Sequence, residues 1–237
     1  MGQNECKLKN GDIVKYAPAV YGRGEYKTAH LGQYISGDKA GKDCIVKVFK
    51  NADAAFRNGN TVRITRLARK LAAEFNKLEK IDRPLRFLVP QVAVISKVAK
   101  VSWFHTSARA GDIVTVEERI RGKYEKFISN NGTLLFHGTL STFSHWTYWK
   151  SKEKFMIVDL QGERRENEYI LTDPAIHSGK GFGEPFGELD CGMVGIEAFF
   201  STHRCEKVCK GLPVPSNIIH TPKDCENLMR KRLSRRR

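Results

Sequence analysis

Residues 154–162 read Lys-Phe-Met-Ile-Val-Asp-Leu-Gln-Gly. The apolar run Phe155 to Val158 is too short for a helix and does not alternate, which describes a strand buried on both faces. Such a strand delivers the next side chain, Asp159, to its end. Gln161 lies two residues on and, at the period of an extended chain, points to the same side. Downstream, Leu171-Thr-Asp-Pro174 offers a second carboxylate, Asp173, in a loop that proline stiffens. Two carboxylates and an amide oxygen are hard ligands suited to Mg²⁺, which keeps waters and substrate phosphates as its other partners. Each acid also has an ordinary reading, as a strand end and as an Asx turn before proline.

Towards the C-terminus two further signals follow. Gly179-Lys-Gly-Phe-Gly-Glu-Pro-Phe-Gly187 and then Gly192 form a glycine-rich stretch leading into a short helix that ends near Phe200. Glycines let backbone amides approach phosphate, and a helix N-terminus adds its positive end. The stretch matches neither the P-loop nor the dinucleotide-binding spacing, and a plain loop accounts for it equally well. Thr202-His-Arg-Cys-Glu-Lys-Val-Cys209 puts His203, Cys205 and Cys209 within seven residues, three donors that zinc accepts. Spacing leaves the fourth ligand open among His145, His177, His220 and Cys225, and ordinary buried thiols beside a surface histidine remain the alternative.

Towards the N-terminus, Cys44-Ile-Val-Lys-Val-Phe49 is a short strand carrying Lys47 among β-branched residues. A strand lysine usually faces solvent, but it can also pair with nucleotide phosphates. From Ile64 the apolar positions 64, 67, 68, 71, 72, 75 and 78 predict a helix that Asp82-Arg-Pro84 ends. Its other face carries Arg63, Arg66, Arg69 and Lys70, read either as a solvated face or as an anion patch. Phe87–Val101 and Ile113–Glu117 read as strands. Asn130-Asn-Gly132 marks a turn, and Phe136, Leu140, Phe143 and Tyr148 predict a second helix containing His145. Trp103, Trp146 and Trp149 are expected in the core or at a lobe interface.

The 237 residues hold 41 Lys and Arg against 26 acids, a net charge of +15. Residues 57–100 carry 11 − 3 = +8 of it and Arg230 to Arg237 another +6, so the charge is local. The last run reads as an extended, flexible basic tail from 216 to 237: a nuclear signal, a nucleic-acid arm or a solubilising end. The composition excludes wholesale disorder, collagen and coiled coil. The most apolar run, Phe87 to Ala99, is far shorter than the roughly 20 residues a membrane span needs. With no secretory signal visible, the six cysteines are expected as thiols or metal ligands in a cytoplasmic protein, the nucleus left open by the tail. Strands dominate the first half and the second is mixed, an α+β pattern in two lobes.

Taken in order, the motifs resemble the alpha-kinases, atypical protein kinases that include myosin heavy chain, elongation-factor and channel kinases. The resemblance runs through Lys47, Val116-Glu-Glu118, Gly122-Lys-Tyr-Glu-Lys126, Asn130-Asn-Gly132 and Phe143-Ser-His-Trp-Thr-Tyr148. It continues through Val158-Asp-Leu-Gln-Gly162, Leu171-Thr-Asp-Pro174, Phe186-Gly187, Gly192, Phe199-Phe200, His203-x-Cys205 and Cys209. It implies a kinase domain over residues 10–215, with an N-lobe to about 117 and a C-lobe from about 118. It implies Ser/Thr phosphorylation of protein substrates from Mg-ATP. By that resemblance Lys47 binds the α- and β-phosphates, Glu117 helps hold adenine, and Asp159 is the catalytic carboxylate. Gln161 and Asp173 serve Mg²⁺, and Gly187 and Gly192 belong to the nucleotide loop. It also implies a structural zinc held by His145 with His203, Cys205 and Cys209. The stretch between Gly162 and Thr172 is longer than the family's, which predicts an extended loop before Asp173. The alternative is a catalytically weak kinase-like module holding RNA or an acidic partner through the basic helix and tail.

Overall fold

The computed structural model describes residues 2–24, 26–50, 54–99, 108–135, 138–183, 185–206 and 208–234. Trp103, Phe136 and the arginines at 235–237 lie outside them. In chain order the elements are β1 (Asn4–Leu8), β2 (Ile13–Tyr16), β3 (Gly22–Arg23), β4 (Lys27–Tyr34), β5 (Asp43–Phe49) and α1 (Ala54–Phe75). Then come β6 (Leu85–Phe87), β7 (Gln91–Lys97), β8 (Ile113–Glu118), β9 (Tyr124–Lys126) and α2 (Thr139–Lys150). The chain ends with β10 (Phe155–Val158), β11 (Gln161–Arg164), β12 (Tyr169–Thr172), β13 (Ala175–Ser178), α3 (Gly192–Thr202) and α4 (Pro222–Ser234). Two compact units result, Met1–Arg63 with Val89–Arg119, and Ile64–Leu88 with Ile120–Arg237.

The first unit is a seven-stranded sheet in the order β2-β1-β7-β8-β5-β4-β3, and a further pairing closes the β2 edge onto β4, the strand next to the other edge. Pairing β2 with β4 satisfies backbone groups that an open edge would leave to solvent. Its core takes Val14, Tyr16, Val46, Val48, Ile95, Val114 and Val116, with the thiols of Cys6 and Cys44. Burial and the neighbouring Cys44 push the Cys6 thiol up to about 12, so it packs as a neutral apolar group.

The second unit is built around α2. Every residue from Leu140 to Tyr148 is buried, so this helix runs through the unit and shows no polar stripe. The predicted apolar face of α1 is present, with Ile64, Ala68, Leu71, Ala72 and Phe75 buried. Phe75 meets Phe143 and Trp146 edge to face. Two small sheets complete the unit: β10 pairs antiparallel with β13, and β6-β12-β11-β9 form the other.

Four expectations are corrected. The lobe boundary is not sequential: Ile64–Leu88 packs in the second unit because the α1 stripe buries against α2. The helix also stops at Phe75 rather than at Asp82, where Asn76 turns its side chain to clamp the Leu85 amide and carbonyl of β6. The strand read over 87–101 is two strands, broken at Leu88 to Pro90, with β6 in the second unit's sheet and β7 in the first's. The C-terminal tail is helical over Pro222–Ser234: Cys225 is fully buried, and Leu228 and Met229 pack with it against Cys191 and Ala198. Of the tryptophans described, Trp146 is in the core, whereas Trp149 is 42% exposed.

Candidate active site and metal centre

In the first unit β5 sits between β4 and β8 and turns Cys44, Val46 and Val48 into the core, which leaves Ile45 and Lys47 on the other face. The β5–β8 register pairs Ile45 with Glu117 and Lys47 with Thr115. Lys47 and Glu117 are therefore diagonal neighbours on one face, close enough to interact. Lys47 Nζ lies 2.5 Å from Glu117 Oε1, and both side chains are at least 90% buried. The lysine of the sequence reading is thus not solvent-facing. Glu117, expected at adenine, turns its carboxylate to Lys47. The pair keeps a buried ammonium charged and aimed.

In the second unit the buried strand β10 ends at Asp159, as its composition predicts, and Asp159 takes a left-handed backbone at φ 57. Asp173, after β12, does the same at φ 48. Aspartate tolerates this region better than most residues, but each such position still costs energy and persists only where its surroundings impose it. Gln161 is paired with Lys126 of β9 on one side and with Thr172 of β12 on the other. That row of three sets Lys126 and Gln161 side by side next to Asp159. Lys126 Nζ lies 2.9 Å from Asp159 Oδ1, and Gln161 Nε2 donates to Asp159 Oδ2 at 3.1 Å. Because the amide nitrogen faces the carboxylate, the amide oxygen of Gln161 is the atom left for a hard cation.

The loop predicted before Asp173 is instead a hairpin. The residues between them close β11 onto β12 by a tight turn in which Arg165 N–H donates to Glu168 O at 2.9 Å. The ladder ends at the Gln161–Thr172 pair and leaves Asp173 one residue beyond it.

The glycine-rich stretch is held by a residue that no motif indicated. Asp190, fully buried, accepts from Ser178 N and Oγ and from Gly192 N with Oδ1, and from Phe186 N with Oδ2. One carboxylate so ties both ends of the loop. His177 Nδ1 accepts from Cys191 N at 3.0 Å, and its Nε2 donates to Asn130 O at 2.7 Å.

The fourth donor beside the C-terminal cluster is His145. The ligand atoms of His145, His203, Cys205 and Cys209 all lie within 4.8 Å of one another. His145 Nδ1 is 3.2 Å from His203 Nε2 and 3.6 Å from Cys205 Sγ, and Cys209 Sγ is 3.5 Å from His203 Nε2. A tetrahedral ion with two nitrogens near 2.05 Å and two sulfurs near 2.3 Å spreads its donors by about 3.3–3.8 Å, so the set could hold zinc. Outer contacts orient it: His145 Nε2–H donates to Pro213 O at 2.9 Å, which leaves the Nδ1 lone pair for the cluster, and Glu206 N–H donates to Cys209 Sγ at 3.4 Å. Burial keeps the His145 imidazole below its ordinary pKa, in the neutral form a ligand needs. The other candidates are engaged elsewhere: His177 as above, His220 with Glu197 at 2.8 Å, and Cys225 beside Cys191.

The folded units and these constellations define an atypical kinase domain, and comparison with known proteins agrees. The model of the alpha-kinase family matches residues 22–209, and the chain belongs to that family. Alpha-protein kinase vwkA of Dictyostelium discoideum is 35% identical over 225 residues, 90% of this chain and 33% of vwkA. Myosin heavy chain kinase B of the same organism is 28% identical across 92% of this chain and 28% of its own length. The chain thus spans about a third or less of these relatives. Among solved structures, an alpha kinase from Entamoeba histolytica superposes with a TM-score of 0.72 at 24% identity, covering 93% of this chain and 94% of the other. The alpha-kinase domain of myosin heavy chain kinase A in complex with ADP gives 0.69 at 20% identity, covering 90% and 96%. The fold is that of the alpha-kinase catalytic domain. Among the described residues no helix is long and apolar enough to cross a membrane.

Lys126 and Asp190 were missed at the sequence level. Lys126 lies within Gly122-Lys-Tyr-Glu-Lys126, but only the β9–β11 register brings it to Asp159.

Proposed function

We propose that this chain transfers the γ-phosphoryl group of Mg-ATP to Ser or Thr hydroxyls of protein substrates, with a structural zinc in its second unit. The observation that carries the reading is the buried, left-handed Asp159 carboxylate, flanked by a cation and an amide at the end of a buried strand. In the reaction the acceptor Oγ forms a bond to the γ-phosphorus as the bridge to ADP breaks, and the hydroxyl proton leaves. Asp159 aligns that hydroxyl and accepts its proton. Lys126 holds the carboxylate in place, and Lys47, kept charged and aimed by Glu117, engages the α- and β-phosphates, as the family resemblance implies. Gln161, through its amide oxygen, and Asp173 would hold Mg²⁺, which neutralises charge on the phosphates when bound. Gly187 and Gly192 flank the Asp190-stapled loop, whose amides suit phosphate oxygens. His145, His203, Cys205 and Cys209 would hold zinc. Four protein donors close the coordination shell, so this ion would lock α2 to the segment after α3 rather than act on substrate.

Radiolabelled transfer from Mg-ATP to a generic basic protein, with Asp159→Ala alongside, tests the reading. Loss of transfer in a variant that melts like the parent is expected. Equal transfer by the two proteins would remove Asp159 from the chemistry.

A further inference from the structure

The basic C-terminal run, expected as an extended, flexible tail, begins on a helix that reaches the residues shaping the glycine-rich loop. Arg232, in the last turn of α4, donates from its guanidinium to the backbone carbonyl of Asp190. Three residues earlier, Met229 Sδ accepts from Asn130 Nδ2 at 2.9 Å, and the same amide donates to Leu189 O at 3.0 Å. One turn further back, the Cys225 thiol points to Asn130 O at 3.9 Å. Leu189 and Asp190 are consecutive loop residues, and Asp190 binds both loop ends through its carboxylate. Residues 225, 229 and 232 recur at helical spacing, so one face of α4 presents all three contacts. Arg230, on a different face, pairs with Glu226, so the cations of this run do different work.

We propose that α4 is a C-terminal clasp that sets the conformation of the loop from Gly179 to Gly192, with Arg232 as its positioning residue. The clasp rests on the reading of that loop as a nucleotide loop. Asp190 staples the loop to itself, and Arg232 and Met229 fix the stapled loop to α4. A hydrogen bond from a charged donor to a carbonyl is worth roughly a factor of ten or more. Its loss should free the loop without unfolding the unit, because the burial of Cys225 and Leu228 still holds α4 on α3.

The test uses the full chain with Arg232→Ala and Arg232→Lys, read by amide hydrogen exchange, thermal melting and ATP kinetics. Arg232→Ala is expected to speed exchange at Gly187–Gly192 about tenfold and to raise the KM for ATP about tenfold, with kcat within about threefold and melting unchanged. Arg232→Lys, which keeps one donor, should restore most of both. Unchanged exchange in Arg232→Ala overturns the clasp. So does faster exchange spread over the whole unit with a lowered melting temperature, which marks a general structural role. A parent that transfers no phosphate would sink the kinase reading alone, since exchange at the loop still decides the clasp.

Discussion

Gly162 links the fold to the site, and Gly162→Ala is the sharpest test of that link. Its backbone sits at φ 151, and a Cβ there would lie 1.9 Å from the Ile170 carbonyl oxygen and 3.0 Å from the Leu171 Cα. The obstacle is main chain of β12, paired to β11 through Gly162 and Leu171, so no side chain can swing aside. Relief requires the ladder to part by about an ångström, giving up one or two hydrogen bonds at about 1 kcal/mol each. The backbone conformation itself adds about 1–3 kcal/mol for a residue other than glycine. A loss of about 2–5 kcal/mol follows, whose midpoint for a chain of this size lowers Tm by about 10 °C. Gly181 supplies the control: at φ 80 a Cβ meets nothing within 4 Å, so alanine there costs only the left-handed backbone, about 1 kcal/mol and 2–4 °C. Melting followed by circular dichroism compares the two. Phosphate transfer by Gly162→Ala should also fall, because Gln161 shifts with the strand. A Gly162→Ala protein that melts no lower than Gly181→Ala would refute the steric argument and the hairpin register beneath it.

Lys126→Met should reduce kcat about tenfold or more, because Asp159 loses the cation 2.9 Å away, while melting changes little for a lysine side chain that is 43% exposed; steady-state kinetics beside a melting curve decide it. Cys209→Ser should purify with less than one zinc per chain by elemental analysis and aggregate on mild heating, because metal affinity in such a site is folding free energy; equal zinc content and Tm would count against the site. His30 gives a pH signature in the first unit. Burial lowers its pKa, and Nδ1 donates to Ala17 O and Ala19 O while Nε2 accepts from Thr28 Oγ1. The unfolded chain therefore binds this proton more readily, so the stability it contributes is full above about pH 6.5 and declines as pH falls below that. His30→Gln should flatten the fall in Tm between about pH 6.5 and 5; an unchanged slope would remove His30 as its source.

Much of the fold was legible because it rests on local patterning. The α1 stripe at 64, 68, 71, 72 and 75 is an amphipathic period that burial then follows. β10 is an apolar run too short for anything but a buried strand, and its end carries Asp159 as the pattern requires. The Asn130-Asn-Gly132 turn forms with Gly132 at φ 82. The cluster from His203 to Cys209 was visible because its three donors are close in sequence. Misreadings arose where composition stood in for packing. The run from Arg230 to Arg237 reads as charge alone, whereas α4 is docked by the apolar Cys225, Leu228 and Met229. The stretch after Gly162 reads as loop because Glu163 to Glu168 is polar throughout, and only the β11–β12 register shows it to be a hairpin.

By itself the sequence determined the inventory: the apolar stripe of α1 and the buried strand β10, that a lysine, paired acids, a glycine-rich stretch and a His/Cys cluster are present, and the family whose order of motifs they share. Only the tertiary structure decided the pairings. It gathered His145 with His203, Cys205 and Cys209, where spacing alone left His177, His220 and Cys225 open and the family resemblance pointed to His145, gave Glu117 to Lys47 and Lys126 to Asp159, and brought Arg232 to Asp190. The reason is physical. Periodicity and turn chemistry act over a few residues, whereas His145 and His203 stand 58 apart and Asp190 and Arg232 42 apart. Which side chains meet across such distances is fixed by strand register and by the burial of helix faces, and those belong to the folded chain as a whole.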